Sequence, residues 1–326
     1  MIDWADYMRE IGGYIELDTY NGNLLHNEAI ALNCGRNCLA YLIEANDIRK
    51  IWLPYFLCDS VRNVCEKYGV NIRYYHINTD WTVHNVELQQ DEYLYVVNFY
   101  GQLSSEYLVC LKKHYERIIV DNSQEYFDMP ITNVDTLYTC RKFFGVSDGA
   151  FLFADKKMKR NLPIDESYER IRYVFGRFEK SASEFYQEAS ANNDFFDIEP
   201  IKFMSKLTQN LLCAIDYERI KKLRTDNFKY LNEKLADINQ LTIKNVEGAF
   251  MYPLMIDNAQ EIKKKLLEKK IYIPTLWPNV LNDVPRDWWE YKLANNVLPL
   301  PVDQRYGKEE MEYVVGVILD CISLGN

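Results

Sequence analysis

From about residue 29 to residue 155 the chain alternates short apolar runs with helical stretches, and this rhythm restricts its possible folds more than any other feature. Runs at 50–53, 71–76, 93–99, 117–120, 135–140 and 150–154 have the length and bounding turn residues of buried strands. Between them, segments 36–45, 58–68 and 105–114 carry apolar residues at helical intervals. Such a succession predicts an α/β fold with a mostly parallel sheet covered by helices on both faces.

The character changes after residue 156. Segments 156–178, 181–191 and 201–235 are charge-rich with apolar residues at helical spacing, which predicts long amphipathic helices. Asn192-Asn193-Asp194 reads as a loop between two of them. From 242 onward, strand runs (250–255, 271–273, 297–300) mix with helices (259–269, 308–322) in a small α+β unit, reached through the helix around Asn227. The expected division is a large α/β domain over 1–230, including the N-terminal segment, and a small C-terminal domain over 231–326.

A net charge of −10 without a long basic run argues against nucleic-acid binding, which needs a cationic footprint. No apolar stretch reaches the ~18 residues of a membrane span. Met1-Ile2-Asp3-Trp4-Ala5-Asp6 has neither the basic nor the apolar region of a secretory signal, so a cytoplasmic setting is expected. The eight cysteines form no CxxC pair and do not cluster with the four histidines, so no metal site is expected and the thiols read as reduced.

One lysine stands out. Lys142 lies in Arg141-Lys142-Phe143-Phe144-Gly145-Val146-Ser147-Asp148-Gly149, between two strand-like apolar runs. A lysine inside an α/β sheet is costly unless its amine is used, and the simplest use is an imine (Schiff base) with a carbonyl cofactor. The alternative is a solvated lysine in a turn. Asp121 ends the run Ile118-Ile119-Val120, where ligands of parallel sheets collect. It either faces a protonated heterocyclic nitrogen or caps a turn. Asn33-Cys34-Gly35-Arg36-Asn37 opens the first helix of this region, and its amides suit a single phosphate; a plain helix start is the other reading. Within Pro54-Tyr55-Phe56-Leu57-Cys58 an aromatic ring either stacks on a flat ligand or joins the core.

In order along the chain these pieces resemble the pyridoxal-phosphate-dependent aminotransferases of fold type I, within the DegT/DnrJ/EryC1/StrS sugar-aminotransferase family. The likeness runs from about Gly13 to the C-terminus and includes Asn98-Phe99-Tyr100-Gly101, Asp121-Asn122-Ser123-Gln124, Arg224-Thr225-Asp226-Asn227 and Leu298-Pro299-Leu300-Pro301. Its most specific part is the Asp-x-x-Gln followed by a lysine ahead of an Asp-Gly. The resemblance implies a sheet of the seven-stranded type. It implies pyridoxal phosphate bound through Lys142, with Asp121 at the pyridinium nitrogen and Gln124 near the ring and its phenolic oxygen. Gly35, Arg36 and Asn37 would hold the phosphate through their backbone, with Thr139 as a hydroxyl partner. A homodimer with sites at the subunit interface is implied too. Two positions depart from the family pattern. Cys58 stands where an aromatic usually stacks on the cofactor, which passes that role to Phe56 or Tyr55 or leaves it unfilled. Leu137 replaces the serine five residues before the lysine.

The resulting expectation is an aminotransferase moving an amino group from an amino-acid donor to a keto group of a sugar or other small carbonyl compound. A pyridoxal-phosphate-binding homologue without turnover, acting as a partner or regulatory protein, is the alternative.

Overall fold

The computed structural model describes residues 12–323, so the expectation drawn from residues 1–6 lies outside the described residues. The first region runs β1 (Ile30–Leu32), α1 (Gly35–Asn46), β2 (Lys50–Pro54), α2 (Asp59–Lys67), β3 (Asn71–Tyr75), β4 (Tyr93–Val97), α3 (Ser105–His114), β5 (Ile118–Asp121), β6 (Asp135–Thr139) and β7 (Ala150–Phe153). These strands form one seven-stranded sheet of order β1-β7-β6-β5-β4-β2-β3. The pairs β3–β2, β2–β4, β4–β5 and β5–β6 are parallel, whereas β7 lies antiparallel to both β6 and β1. The predicted mostly parallel sheet is therefore present. Three-residue β1 is a strand that periodicity did not reveal.

Strands β4 and β5 are almost wholly buried, as unbroken apolar runs between two helical layers should be. The helices around them carry their own start and stop signals. Ser104 Oγ accepts the Tyr107 amide at 3.1 Å to begin α3, Glu106 lies in the first turn, and Lys112, Lys113 and His114 occupy the last.

The middle of the chain holds α4 (Arg172–Glu179), α5 (Tyr186–Ile198), α6 (Lys206–Cys213) and α7 (Tyr217–Leu235). Three expectations are corrected here. The helix predicted over 156–178 shrinks to a 3₁₀ turn and α4. Upstream, the Phe203 amide donates to Pro163 O and the Asp165 amide to Phe203 O, and this pairing holds the segment extended. The loop expected at Asn192-Asn193-Asp194 lies inside α5. Asn192 is buried, donates to Ser147 O at 2.8 Å and accepts from Arg170 Nη1 at 3.2 Å. Its amide is thus occupied by distant partners and does not compete with the helix backbone. The single helix expected over 201–235 breaks at 214–216, where Asp216 caps α7 by accepting the Arg219 amide at 3.0 Å.

The last region contains β8 (Met251–Met255), α8 (Ala259–Glu268), α9 (Val280–Asp283), α10 (Trp289–Asn296), β9 (Val297–Pro301) and α11 (Lys308–Ser323). Antiparallel β8 and β9 form a two-stranded sheet, packed with α7, α8 and α11 through Phe228, Tyr252, Leu266, Leu300, Met311 and Ile318. The strand expected over 271–273 does not form. Ile271 and Ile273 are buried in this second core, but their backbone joins no sheet.

Because β2, β4, β5 and β6 are parallel, Pro54, Val97, Asp121 and Thr139 end at one edge of the large sheet. With β7 antiparallel to both its neighbours, β1 runs in the same sense as β6. The start of α1 therefore opens at that same edge, where ligands of such sheets gather.

Candidate active site

Lys142 lies in the turn after β6, open to solvent yet deep within the mass of the protein. Its Nζ donates to Ser123 Oγ at 3.0 Å and lies 5.4 Å from the centre of the Phe250 ring. The dense surround pushes the amine below its usual pKa, and the carboxylate of Asp121 opposes that shift. The amine is thus easier to deprotonate than a free lysine, with a charge partner that limits the effect.

Asp121, the last residue of β5, is 5% exposed. One oxygen accepts the Tyr95 hydroxyl at 2.8 Å and the other accepts the Ser123 amide at 2.7 Å. Burial and the Asp121 carboxylate both raise the Tyr95 phenol, which keeps it protonated as a donor. Each Asp121 oxygen retains a second lone pair for a further donor. Ser123 consequently joins the carboxylate and the amine in one chain of contacts.

Gln124 is buried with its two ends in different states. Its Oε1 accepts the Tyr100 amide at 2.9 Å, whereas its Nε2 is buried without a partner. Tyr100 adopts φ +52°, a left-handed conformation uncommon for a tyrosine. A buried amide donor without a partner calls for an acceptor.

Gly35 begins α1 over the end of β6. A side-chain carbon there would stand 3.9 Å from Thr139 Cβ and 4.0 Å from Leu137 Cδ1, in ordinary contact with the end of β6. The first amides of a helix have no partner within it, which makes this end receptive to an anion. The side chains of Arg36 and Asn37 turn elsewhere. Arg36 Nη1 donates to Asn193 O at 2.8 Å and pairs with Asp197 at 3.0 Å. Asn37 Nδ2 donates to Asn33 Oδ1 and Pro200 O, and the Asn37 amide itself donates to Cys34 O. Asn37 thus supports the loop between β1 and α1, and its own amide is already engaged.

Phe56, expected as a stacking ring, is fully enclosed, with Phe99 at 5.3 Å and Trp277 at 4.9 Å between ring centres. It offers no open face in this conformation. Tyr55 is half-buried against Tyr74 and Trp288. Cys58 precedes α2 with its sulfur accepting from Ser60 Oγ at 3.1 Å.

Tyr95, Ser123 and Phe250 were absent from the sequence reading as site residues. A tyrosine inside the otherwise aliphatic run 94–97 was the available signal for the first, and the interior of Asp121-x-x-Gln124 for the second. Phe250 comes from the far end of the chain and gave none. Among the described residues, no group of three or more His, Cys, Asp and Glu is placed to hold a metal ion.

No family model matches the chain, and no curated protein does. Solved structures do. DesV from S. venezuelae, in complex with a ketimine intermediate, matches with a TM-score of 0.64 and 13% identity over 89% of this chain and 83% of that one. The sugar aminotransferase CalS13 from Micromonospora echinospora gives 0.60 and 15%, over 90% and 87% of the two chains. A DegT DnrJ EryC1 StrS aminotransferase from Brucella abortus gives 0.59 and 15%, over 90% and 85%. The chain has the fold of these aminotransferases.

Proposed function

We propose that this protein is a pyridoxal-phosphate-dependent aminotransferase that passes an amino group from an amino-acid donor to a keto group on a sugar or another small carbonyl compound. One observation carries the reading. A lysine amine lowered by its surroundings, a buried carboxylate and a buried amide lacking a partner meet at the edge of a sheet whose fold is that of sugar aminotransferases.

The residues present fit the cofactor. Asp121 has a free lone pair for the ring nitrogen, Gln124 Nε2 has no other acceptor, and the first amides of α1 at Gly35 and Arg36 suit a phosphate. When bound, pyridoxal phosphate supplies a carbonyl for amino groups and a cationic ring that stabilises negative charge on the adjacent carbon. Asp121 holds the compensating charge, and Tyr95 and Ser123 hold Asp121. Lys142 Nζ, once free, takes a proton from one carbon and returns it to another, a task that suits an amine with a lowered pKa. Ser123 Oγ, 3.0 Å away, keeps that nitrogen on the Asp121 side of the recess.

Sugar acceptors are favoured by the names of the matching structures, which include sugar aminotransferases. A homodimer fits the apolar side chains left on the surface, among them Ile15, Phe178 and Ile198, exposed by 92%, 93% and 83%. A cytoplasmic setting fits eight unpaired cysteines. No helix among the described residues is long and apolar enough to cross a membrane.

The test uses purified protein with added pyridoxal phosphate. The visible (yellow) imine band of the bound cofactor should fade with an amino donor such as glutamate and return with a keto acid. Borohydride should fix the cofactor covalently to wild type and not to Lys142→Ala. Fixation to another residue, or a band that no amino donor alters, would contradict the proposal.

A further inference from the structure

We propose that Tyr95 is a positioning residue that keeps the proton shared between Asp121 and the cofactor on the ring nitrogen, an assignment that rests on the cofactor reading above. Tyr95 and Asp121 meet because of the register of two strands. Tyr95 of β4 stands opposite Ile119 of β5, and Val97 stands opposite Asp121. Side chains two residues apart share a face, so Tyr95 and Asp121 are diagonal neighbours on one side of the sheet, within reach of a long side chain. The phenol spans that diagonal and donates to Asp121 Oδ2 at 2.8 Å. Tyr95 lies inside its strand, whereas Asp121 is the last residue of its own. The phenol therefore meets the carboxylate from the core side, away from the edge where ligands of such sheets gather.

Tyr95 is a neutral and permanent donor. Burial, and then the Asp121 carboxylate, raise its phenol well above the usual range. The other titratable groups facing it are Cys65 of α2 and Cys38 of α1, whose thiols are themselves raised by burial and stay uncharged. The second oxygen of Asp121 is held by the Ser123 amide at 2.7 Å, and the cation that feels this carboxylate is Lys142.

A proton between a carboxylate and a pyridine nitrogen rests on whichever is the better base in place. Donation from a phenol favours the charged form of a carboxylate. The proton then stays on the ring, where positive charge stabilises a neighbouring carbanion. Without the phenol, a carboxylate only 5% exposed gains from being neutral, and the ring loses its charge. A tyrosine that merely fills the core would also need a partner for its hydroxyl. Only a positioning role is felt at the ring nitrogen.

The experiment compares wild type, Tyr95→Phe, protein with fluorotyrosine in place of Tyr95, and Tyr75→Phe. Tyr75 is the control, a second buried phenol of the sheet whose hydroxyl donates to Tyr95 O at 2.8 Å. Calorimetry on apoprotein gives affinities for pyridoxal phosphate and for its deaza analogue, in which C–H replaces the ring nitrogen. The pH midpoint of the visible imine band is measured on the loaded proteins. Tyr95→Phe should weaken pyridoxal phosphate by about tenfold, as loss of a hydrogen bond to a charged group predicts, and leave the analogue unchanged. Its midpoint should rise by about one pH unit, because an uncharged ring no longer repels the imine proton. Fluorotyrosine, a stronger donor of nearly the same shape, should lower the midpoint, and it carries the comparison if the phenylalanine protein does not fold. Tyr75→Phe should keep the wild-type midpoint and the wild-type preference for pyridoxal phosphate over the analogue. Equal effects on the two ligands in Tyr95→Phe, or an unmoved midpoint in either Tyr95 variant, would overturn the role of Tyr95 and leave the cofactor reading intact. A wild type that binds neither ligand, or shows no imine band, would overturn the cofactor reading and this assignment with it.

Discussion

Beside the site, Glu125 is a carboxyl in a setting that favours its neutral form. It is 1% exposed, its Oε1 accepts the Phe127 amide at 3.2 Å, and its Oε2 has no partner. Burial, with Asp128 nearby, raises its pKa to about 8. The folded protein therefore holds a proton that the unfolded chain releases near ~4.3. Stability from this group is complete at low pH and declines as pH climbs from that value to about 8. Glu125→Gln keeps the shape and removes the titration. Urea melts across pH 5 to 9 should show a flatter profile for the variant, with a gain of a few kcal/mol above pH 8 at ~1.4 kcal/mol per unit. Equal slopes for the two proteins would refute this. Gly101 shares the same crowding, since at φ +70° a side-chain carbon there would fall 2.3 Å from Glu125 Oε2. Lys142 and Asp121 were legible as candidates in the sequence because each is a polar residue beside an apolar run, and Gln124 through the family resemblance alone. Tyr95 and Phe250 were not, since an aromatic in a buried run reads first as core, and only tertiary contact gives it a second use.

At the scale of elements, α7 is tied to the turn that holds Lys142 by one fully buried arginine. Arg224 donates through Nε to Gln304 Oε1 at 2.8 Å, through Nη1 to Ala249 O at 2.9 Å and through Nη2 to Phe143 O at 3.2 Å. Its burial lowers the guanidinium to about 10, and Asp303 offsets part of that. Replacement by methionine fills similar volume but leaves Ala249 O and Gln304 Oε1 without these donors. Arg224→Met should cost about 3 kcal/mol or more in urea unfolding; a change within ~0.5 kcal/mol would show that the contacts are dispensable. On the opposite side of the turn, Asp148 accepts the Ser205 amide and hydroxyl, each at 2.8 Å, and the Thr208 hydroxyl, which fixes the start of α6. Element identities in the α/β region, three-residue β1 excepted, followed directly from apolar spacing. Those between 156 and 235 did not, because the pairing of 163–165 with Phe203 and the long-range bonds of Asn192 override local preference.

For the whole molecule, the telling feature is how much apolar surface lies along the N-terminal segment and the α4–α5 region. Tyr14 and Ile15 are 96% and 92% exposed, and Phe178, Tyr186 and Ile198 are exposed in the second region. A second copy of this chain is the expected cover. Sedimentation should give the mass of two chains, twice 38.7 kDa, and Phe178→Glu should shift the protein toward monomer. A monomeric wild type at micromolar concentration would exclude that cover.

The carbonyl of Phe143 accepts two bonds, from Arg224 Nη2 and from Gln304 Nε2 at 2.7 Å. The peptide next to Lys142 is therefore bolted to the carboxy-terminal third of the chain as well as to its own strand. Any sliding of β8 and β9 against the large sheet must either drag the amine along or shear those two bolts first.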